Sequence, residues 1–464
     1  MPFSKNLLDN DDDMPRDPVK VIIAGAGLGG ICLGILLEKA QIPYCIFEQA
    51  DRVMRLGSAM GITGNVFPLF EQLGLMPDIM ARSKEVDTLE GYNEKMKVIL
   101  PMKYTFAEKL SGYLPRLITH PDLHEILLSR IPIHKIVWGK RVVNVEQTPD
   151  SVRVHFTDGS SFPGQVLVGA DGTHSGVRTS IYKTLADKNE LPRVDKEPVI
   201  FNGVCLVGET KPLNAAQFPR INDPRANWAI TSTWRNTLCW VLIEFFDKSK
   251  LQEAEYIKRW KSTPAGEMCE AVKDFPIPGG TNLTLGDLMA ETSRNLLSKV
   301  MNEERFFQTW HSGRTVLLGD AAHKMSLAGG LGAVNAFQDA VVLANYLHSL
   351  PSTDTWKQND VTQAFKGYKA ERYSSAKHAC EMSHGMGHLT GKTWSAEVTR
   401  TFASFTWLWK LALRKIFANR PQAAFLPLIE NTGTLKPLPQ PSLSLTRIDA
   451  DRWSTTSGKD AAVV

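Results

Sequence analysis

"KVIIAGAGLGGICLGILLEKA", residues 20–40, decides the fold. Lys20 to Ala24 reads as a short apolar strand, and a helical pattern follows from about Gly29 to Lys39. Gly25-x-Gly27-x-x-Gly30 stands between them. Gly25 permits a sharp strand-to-helix turn, Gly27 lets a diphosphate approach the backbone, and Gly30 lets the helix close onto the sheet. The helix start offers unpaired N–H groups and a positive dipole end to that diphosphate. A second strand, YCIFEQ, ends at Glu48, where a carboxylate accepts hydrogen bonds from an adenosine ribose. A carboxylate there disfavours a 2′-phosphate, so the expected ligand is FAD or NAD rather than NADP.

The chain has 464 residues, enough for one large two-lobed domain or two to three ordinary ones. A composition of 43% hydrophobic and 22% charged residues is that of a soluble globular protein. A net charge of +4, with no basic run carrying interleaved aromatics, points away from nucleic acid. Six cysteines without a C-x-x-C pair read as free thiols in a reducing compartment. The opening residues lack the apolar core of a signal peptide, so a cytoplasmic location is expected and the Asn282 sequon unused.

The expected class is α/β: a Rossmann-like FAD-binding lobe, an inserted mostly β substrate lobe and C-terminal helices. Residues 1–17 are acidic and proline-bearing and read as disordered. The nucleotide lobe is expected over 18–182 and 301–350, with β-like, aromatic-rich texture between them at 183–300. A helical region follows over 351–431 and a disordered tail over 432–464. The apolar stretch 401–429 is broken by Lys410, Arg414, Lys415 and Arg420, too often to span a bilayer. It reads first as a helix packed on the body. Its Trp, Phe and basic residues also suit a peripheral membrane contact.

Two further motifs choose the dinucleotide. "VLVGADGTHSGVR" sets Asp171 and Gly172 at a strand end, and "RTVLLGDAAH" sets Asp320 at another. A buried strand-end aspartate needs donors, and the hydroxyls of a ribityl chain supply them. Gly329, Gly330 and Gly332 then lead into a second bare helix start near Ala333. Amides and a helix dipole there suit the negative end of a reduced flavin. One glycine turn holds the diphosphate and the other the redox end of an extended FAD, whereas NAD leaves the second turn unexplained.

Taken in order, these three motifs resemble the class A, single-component flavin monooxygenases with the para-hydroxybenzoate hydroxylase fold. The likeness is strongest to the fungal FAD-dependent epoxidases and hydroxylases of terpenoid and polyketide pathways, and covers about residues 19 to 440. "NRPQAAFLPLIENTGTLKPLPQPS" also resembles that subgroup. The resemblance implies that Glu48 binds ribose, that Arg55 lies near the flavin, and that Gly61 or Ile62 lies on the flavin-side loop. It further implies that Asp320 binds the ribityl chain or diphosphate and that Ala333 gives a backbone contact. Asp171 and Gly172 match a segment associated with FAD and NAD(P)H. His120 stands where the family has arginine, with Arg116 as a candidate substitute. Leu327 stands where the family has proline in the loop facing the reacting edge of the flavin.

The same resemblance implies a cycle. NAD(P)H, a transient co-substrate, gives a hydride to FAD N5, O2 adds at flavin C4a, and the hydroperoxide passes one oxygen to an electron-rich ring or olefin. No second nicotinamide fingerprint and no catalytic acid or base is assigned. His323 reads as a structural partner of its turn, and His384 with His388 as ordinary histidines rather than metal ligands. Arg178 reads equally as a surface salt-bridge residue or an NAD(P)H contact, and the inserted lobe as the home of Trp228, Trp234 and Trp240. Two other readings keep FAD: a reductase or dehydrogenase acting on isoprenoid double bonds, and a catalytically silent FAD-binding protein at a membrane surface.

Overall fold

The structure, a computed structural model, describes residues 14, 19–51, 59–92, 97–214, 226–227, 230–246, 250, 254–277, 282–389 and 406–444. Val21–Ala24 is apolar at every position and buried at every position. That pattern belongs to a strand covered on both faces. It lies within a six-stranded sheet ordered His311–Ser312, Thr315–Leu317, Val166–Gly169, Val21–Ala24, Tyr44–Phe47 and Ile136–Val137. The last five run parallel, in registers such as Val21 with Val166 and with Tyr44. Helix Leu28–Lys39 packs on helix Gly332–His348, and a Cβ on Gly29 would lie 3.1 Å from the Ala336 Cβ. An antiparallel meander, Val142–Gln147, Val152–Phe156 and Ser161–Gly164, sets Phe156 and Phe162 against Phe47, at ring separations of 4.7 and 5.1 Å.

A second sheet is ordered Ile230–Ser232, Leu238–Phe245, Ile200–Glu209, Ser298–Phe306 and His323–Lys324. Its separate core is built from Val204, Leu206, Leu238, Trp240 and Leu288. Trp240 is fully buried there and donates to Thr292 Oγ1 at 2.9 Å. Trp228 lies outside the described residues. The sheet reaches beyond the expected 183–300 segment. Its edge strand His323–Lys324 comes from the third motif itself, and a two-residue strand carries too little periodicity to be read in advance.

Two long helices follow the third motif, Gly332–His348 and Gln358–Leu389, interrupted around Pro351, the second opening the expected 351–431 helical region. Helix Thr406–Ala418 docks by Leu413 and Phe417 against Ala107, while Leu411 on another side is half-exposed. That docking carries the packed-helix reading, and membrane contact gains no support from it. No described helix is long and apolar enough to cross a membrane. The expectation of disorder from residue 432 needs correction for 432–444. Leu435 donates its N–H to Leu110 O at 3.0 Å, and Leu438 donates to Ala418 O at 2.8 Å. Ser442 is buried and donates to Glu371 at 3.1 Å. Polar, proline-rich composition hid a strap that is anchored by backbone pairing with the body at Leu435 and Leu438 and closes a turn of its own at Gln440–Ser444.

Candidate functional site

Parallel strands end together, so the loops after Ala24, Phe47, Gly169 and Leu317 share one edge of the sheet. In open α/β sheets that edge is where ligands bind. Gly25 adopts φ +107°, and a Cβ there would meet Ala170 O at 2.4 Å. A Cβ on Gly30 would lie 2.0 Å from Gly25 O. Gly27 differs: its φ is −72°, and a Cβ would meet nothing within 4 Å. Its openness is therefore not required by the protein's own packing. Helix Leu28–Lys39 begins there with no side-chain cap. The cradle fits an anionic group brought against bare amides.

Glu48 braces this turn. Its Oε2 accepts from Ala26 N at 2.7 Å and its Oε1 from Ala50 N at 2.9 Å. Each carboxylate oxygen keeps a lone pair for a further donor such as a ribose hydroxyl. On the other side, His124 Nε2 donates to Ala26 O at 2.8 Å. His120 stacks on His124 at 6.2 Å between ring centroids. Its Nδ1 is buried without a protein partner. Burial, then the neighbouring His124, hold the His120 pKa down at about 4. His120 is therefore a neutral hydrogen-bonding group at pH 7, and not an electrostatic replacement for arginine.

Arg116, the candidate substitute, is held by protein partners. It opens strand Arg116–Thr119 rather than lying on a helix. Its guanidinium donates to Ser83 Oγ at 2.7 Å and pairs with Glu85 at 3.3 Å. Strand Ala59–Ile62 runs antiparallel beside it, with Gly61 opposite Leu117 and Ile62 opposite Arg116. A Cβ on Gly61 would meet nothing within 4 Å. Arg55 lies outside the described residues.

Asp171 follows the strand Val166–Gly169. Its Oδ2 accepts from Val177 N at 3.1 Å, while Oδ1 is buried without a protein partner. Burial pushes its carboxyl pKa up. An acceptor of that kind suits a hydroxyl-bearing ligand. Arg178 is not a surface salt-bridge residue. It is buried, stacks 4.3 Å from the Phe307 ring centroid, and donates to Ala321 O at 3.0 Å and Thr173 O at 2.6 Å. It ties the second motif to the third.

Asp320 sits in the turn Gly319–Ala321, paired with Lys324 at 2.6 Å. Its Oδ1 lies 3.7 Å from where a Cβ on Gly332 would stand. Helix Gly332–His348 starts there without a side-chain cap. Asp320 and Gly332 thus meet at this helix start, with Ala333 next in the chain. Behind them lies a cluster that sequence reading missed. Asp339 is fully buried and accepts from Arg372 Nε at 2.7 Å, from His323 Nε2 at 2.6 Å and from Gly319 N at 3.0 Å. Burial opposes its charge, but His323 and Arg372 prevail and hold its carboxyl down at about 2. His323 thus serves the turn. A signal was present: Asp339 is the sole carboxylate among the 17 residues of its helix.

The loop before that helix is held from the second sheet. Asn302 Oδ1 accepts from Leu327 N at 2.9 Å, and Gly330 adopts φ +63°. A leucine in the place of proline thus supplies an N–H that is used. His384 Nδ1 meets Glu304 Oε2 at 2.7 Å. Among the described residues no cluster of three or more His, Cys, Asp or Glu could hold a metal. A cavity of about 480 Å³ lies on another face of helix Gly332–His348, beside Asn335, Gln338, Met382 and Ile416. None of Glu48, Asp171 and Asp320 lines it.

The family described as FAD binding domain matches residues 18–268 and 280–382. The FAD-dependent monooxygenase ausM of Penicillium brasilianum is 28% identical over 392 residues, 79% of this chain and 78% of that protein. HpxO of Klebsiella pneumoniae, solved with FAD and uric acid, matches with a TM-score of 0.66 at 18% identity, over 86% of this chain and 95% of that one. The Diels-Alderase PyrE3 of pyrroindomycin biosynthesis matches with a TM-score of 0.59 at 20% identity, over 86% of this chain and 80% of that one.

Proposed function

Because the chain belongs to the FAD binding domain family, we propose that it is a monooxygenase which uses FAD, NAD(P)H and O2 to hydroxylate or epoxidise an electron-rich aromatic, polyketide or terpenoid substrate. The observation that carries this reading is the convergence on one sheet edge. Two uncapped helix starts, at Leu28 and Gly332, lie there with Glu48, Asp171 and Asp320 between parallel strand ends. A single long dinucleotide uses both starts at once. The naming of ausM as an FAD-dependent monooxygenase supports the reaction class.

Bound FAD supplies acceptance of a hydride from NAD(P)H and activation of O2 for transfer of one oxygen atom. The remaining work falls to this chain. Gly27 and the amides of the first helix start receive the diphosphate, and Glu48 accepts from the ribose. Asp320 and Asp171 accept from ribityl hydroxyls. His120 offers a neutral hydrogen bond, which preserves contact without adding charge. The Gly332 and Ala333 amides favour negative charge at the redox end. Asn302 fixes the loop between that end and the second sheet, which lines the substrate side. Six unbridged cysteines support placement in the reducing cytoplasm.

The test is a visible spectrum of the purified protein, followed by NAD(P)H-dependent oxygen uptake across phenols and terpenoids. Bound yellow FAD with substrate-stimulated oxygen consumption is expected. A colourless protein that takes up no added FAD refutes the reading. PyrE3 favours a second one, a ring-forming reaction without net redox on the same fold. Product formation with no NAD(P)H consumed would select it.

A further inference from the structure

The second sheet touches the nucleotide lobe through a hairpin tip, Thr233 to Thr237. Its shape is fixed locally. Thr233 N donates to Thr237 O at 2.9 Å, the two threonine hydroxyls meet at 2.6 Å, and Asn236 adopts φ +59°. Arg235 projects from this tip between two carboxylates. Its Nη1 donates to Asp122 Oδ1 at 2.7 Å and its Nη2 to Glu209 Oε1 at 2.9 Å. The carboxylates belong to different lobes. Glu209 ends a strand of the second sheet, and Asp122 lies in the first turn of helix His120–Leu128. Their side chains are only 5% and 3% exposed, so neither is an ordinary surface partner. Trp234 Nε1 donates to the second Asp122 oxygen at 3.0 Å, and Thr119 Oγ1 donates to it as well.

Asp122 stands midway between two histidines already placed. His120 precedes it by two residues, and His124 follows by two and holds Ala26 O of the first glycine turn. We propose that Arg235 is a positioning residue that fixes the second sheet against helix His120–Leu128 and, through His124, steadies the Gly25–Gly30 turn. It contacts no part of that turn itself. A guanidinium suits this place because its planar fork serves two carboxylates at once, whereas a lysine ammonium is a point charge on a flexible stem. The inference rests on the proposed reading only in taking that turn as the FAD diphosphate site.

The experiment compares the FAD-loaded wild type with Arg235→Ala, Arg235→Lys and Trp234→Phe. Amide hydrogen exchange is read by peptide, and FAD affinity by flavin fluorescence. Arg235→Ala should speed exchange about tenfold in two separate places, the 230–238 hairpin and the 24–31 turn, with core strands unchanged. Its FAD dissociation constant should rise roughly five- to tenfold. Arg235→Lys should recover part of both effects, and Trp234→Phe should show a smaller version of each. Acceleration confined to the hairpin, with FAD affinity unchanged, overturns the proposal. So does uniform acceleration across the chain in the two milder variants, which marks general loss of stability. If the wild type takes up no FAD, the functional reading fails separately, and the exchange comparison on the same protein without FAD still decides the coupling.

Discussion

Replacing Gly27 and Gly30 in turn by alanine separates what the fold needs from what a ligand needs. At Gly30 the new Cβ would stand 2.0 Å from Gly25 O and 3.3 Å from Ala170 Cβ. Ordinary contact is about 3.5 Å, so backbone must move by roughly 1.5 Å within a packed turn. Overpacking of that kind costs about 1–3 kcal/mol. At Gly27 the φ of −72° suits any residue, and no protein atom lies within 4 Å of the new Cβ. The expected cost to the FAD-free protein is only about 0.5–1 kcal/mol, from a poorer helix N-cap. The same methyl stands where the diphosphate must approach, so the FAD dissociation constant should rise more than about tenfold, or about 1.4 kcal/mol. Urea unfolding without FAD and fluorescence titration with FAD measure the two quantities. Gly27→Ala should keep stability and lose affinity, whereas Gly30→Ala should lose both. Wild-type affinity in Gly27→Ala refutes the cradle.

Three other outcomes follow from the geometry. Asp339→Asn leaves Arg372 buried without its counter-charge and should cost about 3–5 kcal/mol in urea unfolding, with less lost in Asp339→Asn/Arg372→Met than additivity requires. His120 titrates at about 4 when folded, against an ordinary 6.5. The unfolded chain therefore binds more protons between those values, so stability contributed by this residue is lost as pH falls from 6.5 to 4. The loss approaches about 3 kcal/mol, and His120→Gln should flatten that part of the pH profile of unfolding. Leu327→Pro restores the family residue but removes the N–H held by Asn302. It should cost about 1–3 kcal/mol and weaken flavin retention, read by gel filtration with absorbance at visible wavelengths.

The sequence by itself determined the strand–glycine–helix opening, the acid at Glu48 and the two later strand-end aspartates. These are local requirements. A positive φ at Gly25, an apolar run in a doubly covered strand, and a helix that starts without a capping side chain all act within a few residues, so they are written in consecutive letters. Tertiary structure alone decided which charges are spent. Arg116 turned to Ser83 and Glu85, Arg178 to two carbonyls, and Arg372 to Asp339, each partner set by chain segments brought together from elsewhere. It also decided that His120 is neutral, because its pKa depends on burial and on His124 beside it. The strap at 432–444 and the hairpin carrying Arg235 were hidden for the same reason. Their docking comes from partners tens to hundreds of residues away, and long-range pairing leaves no period in a single sequence.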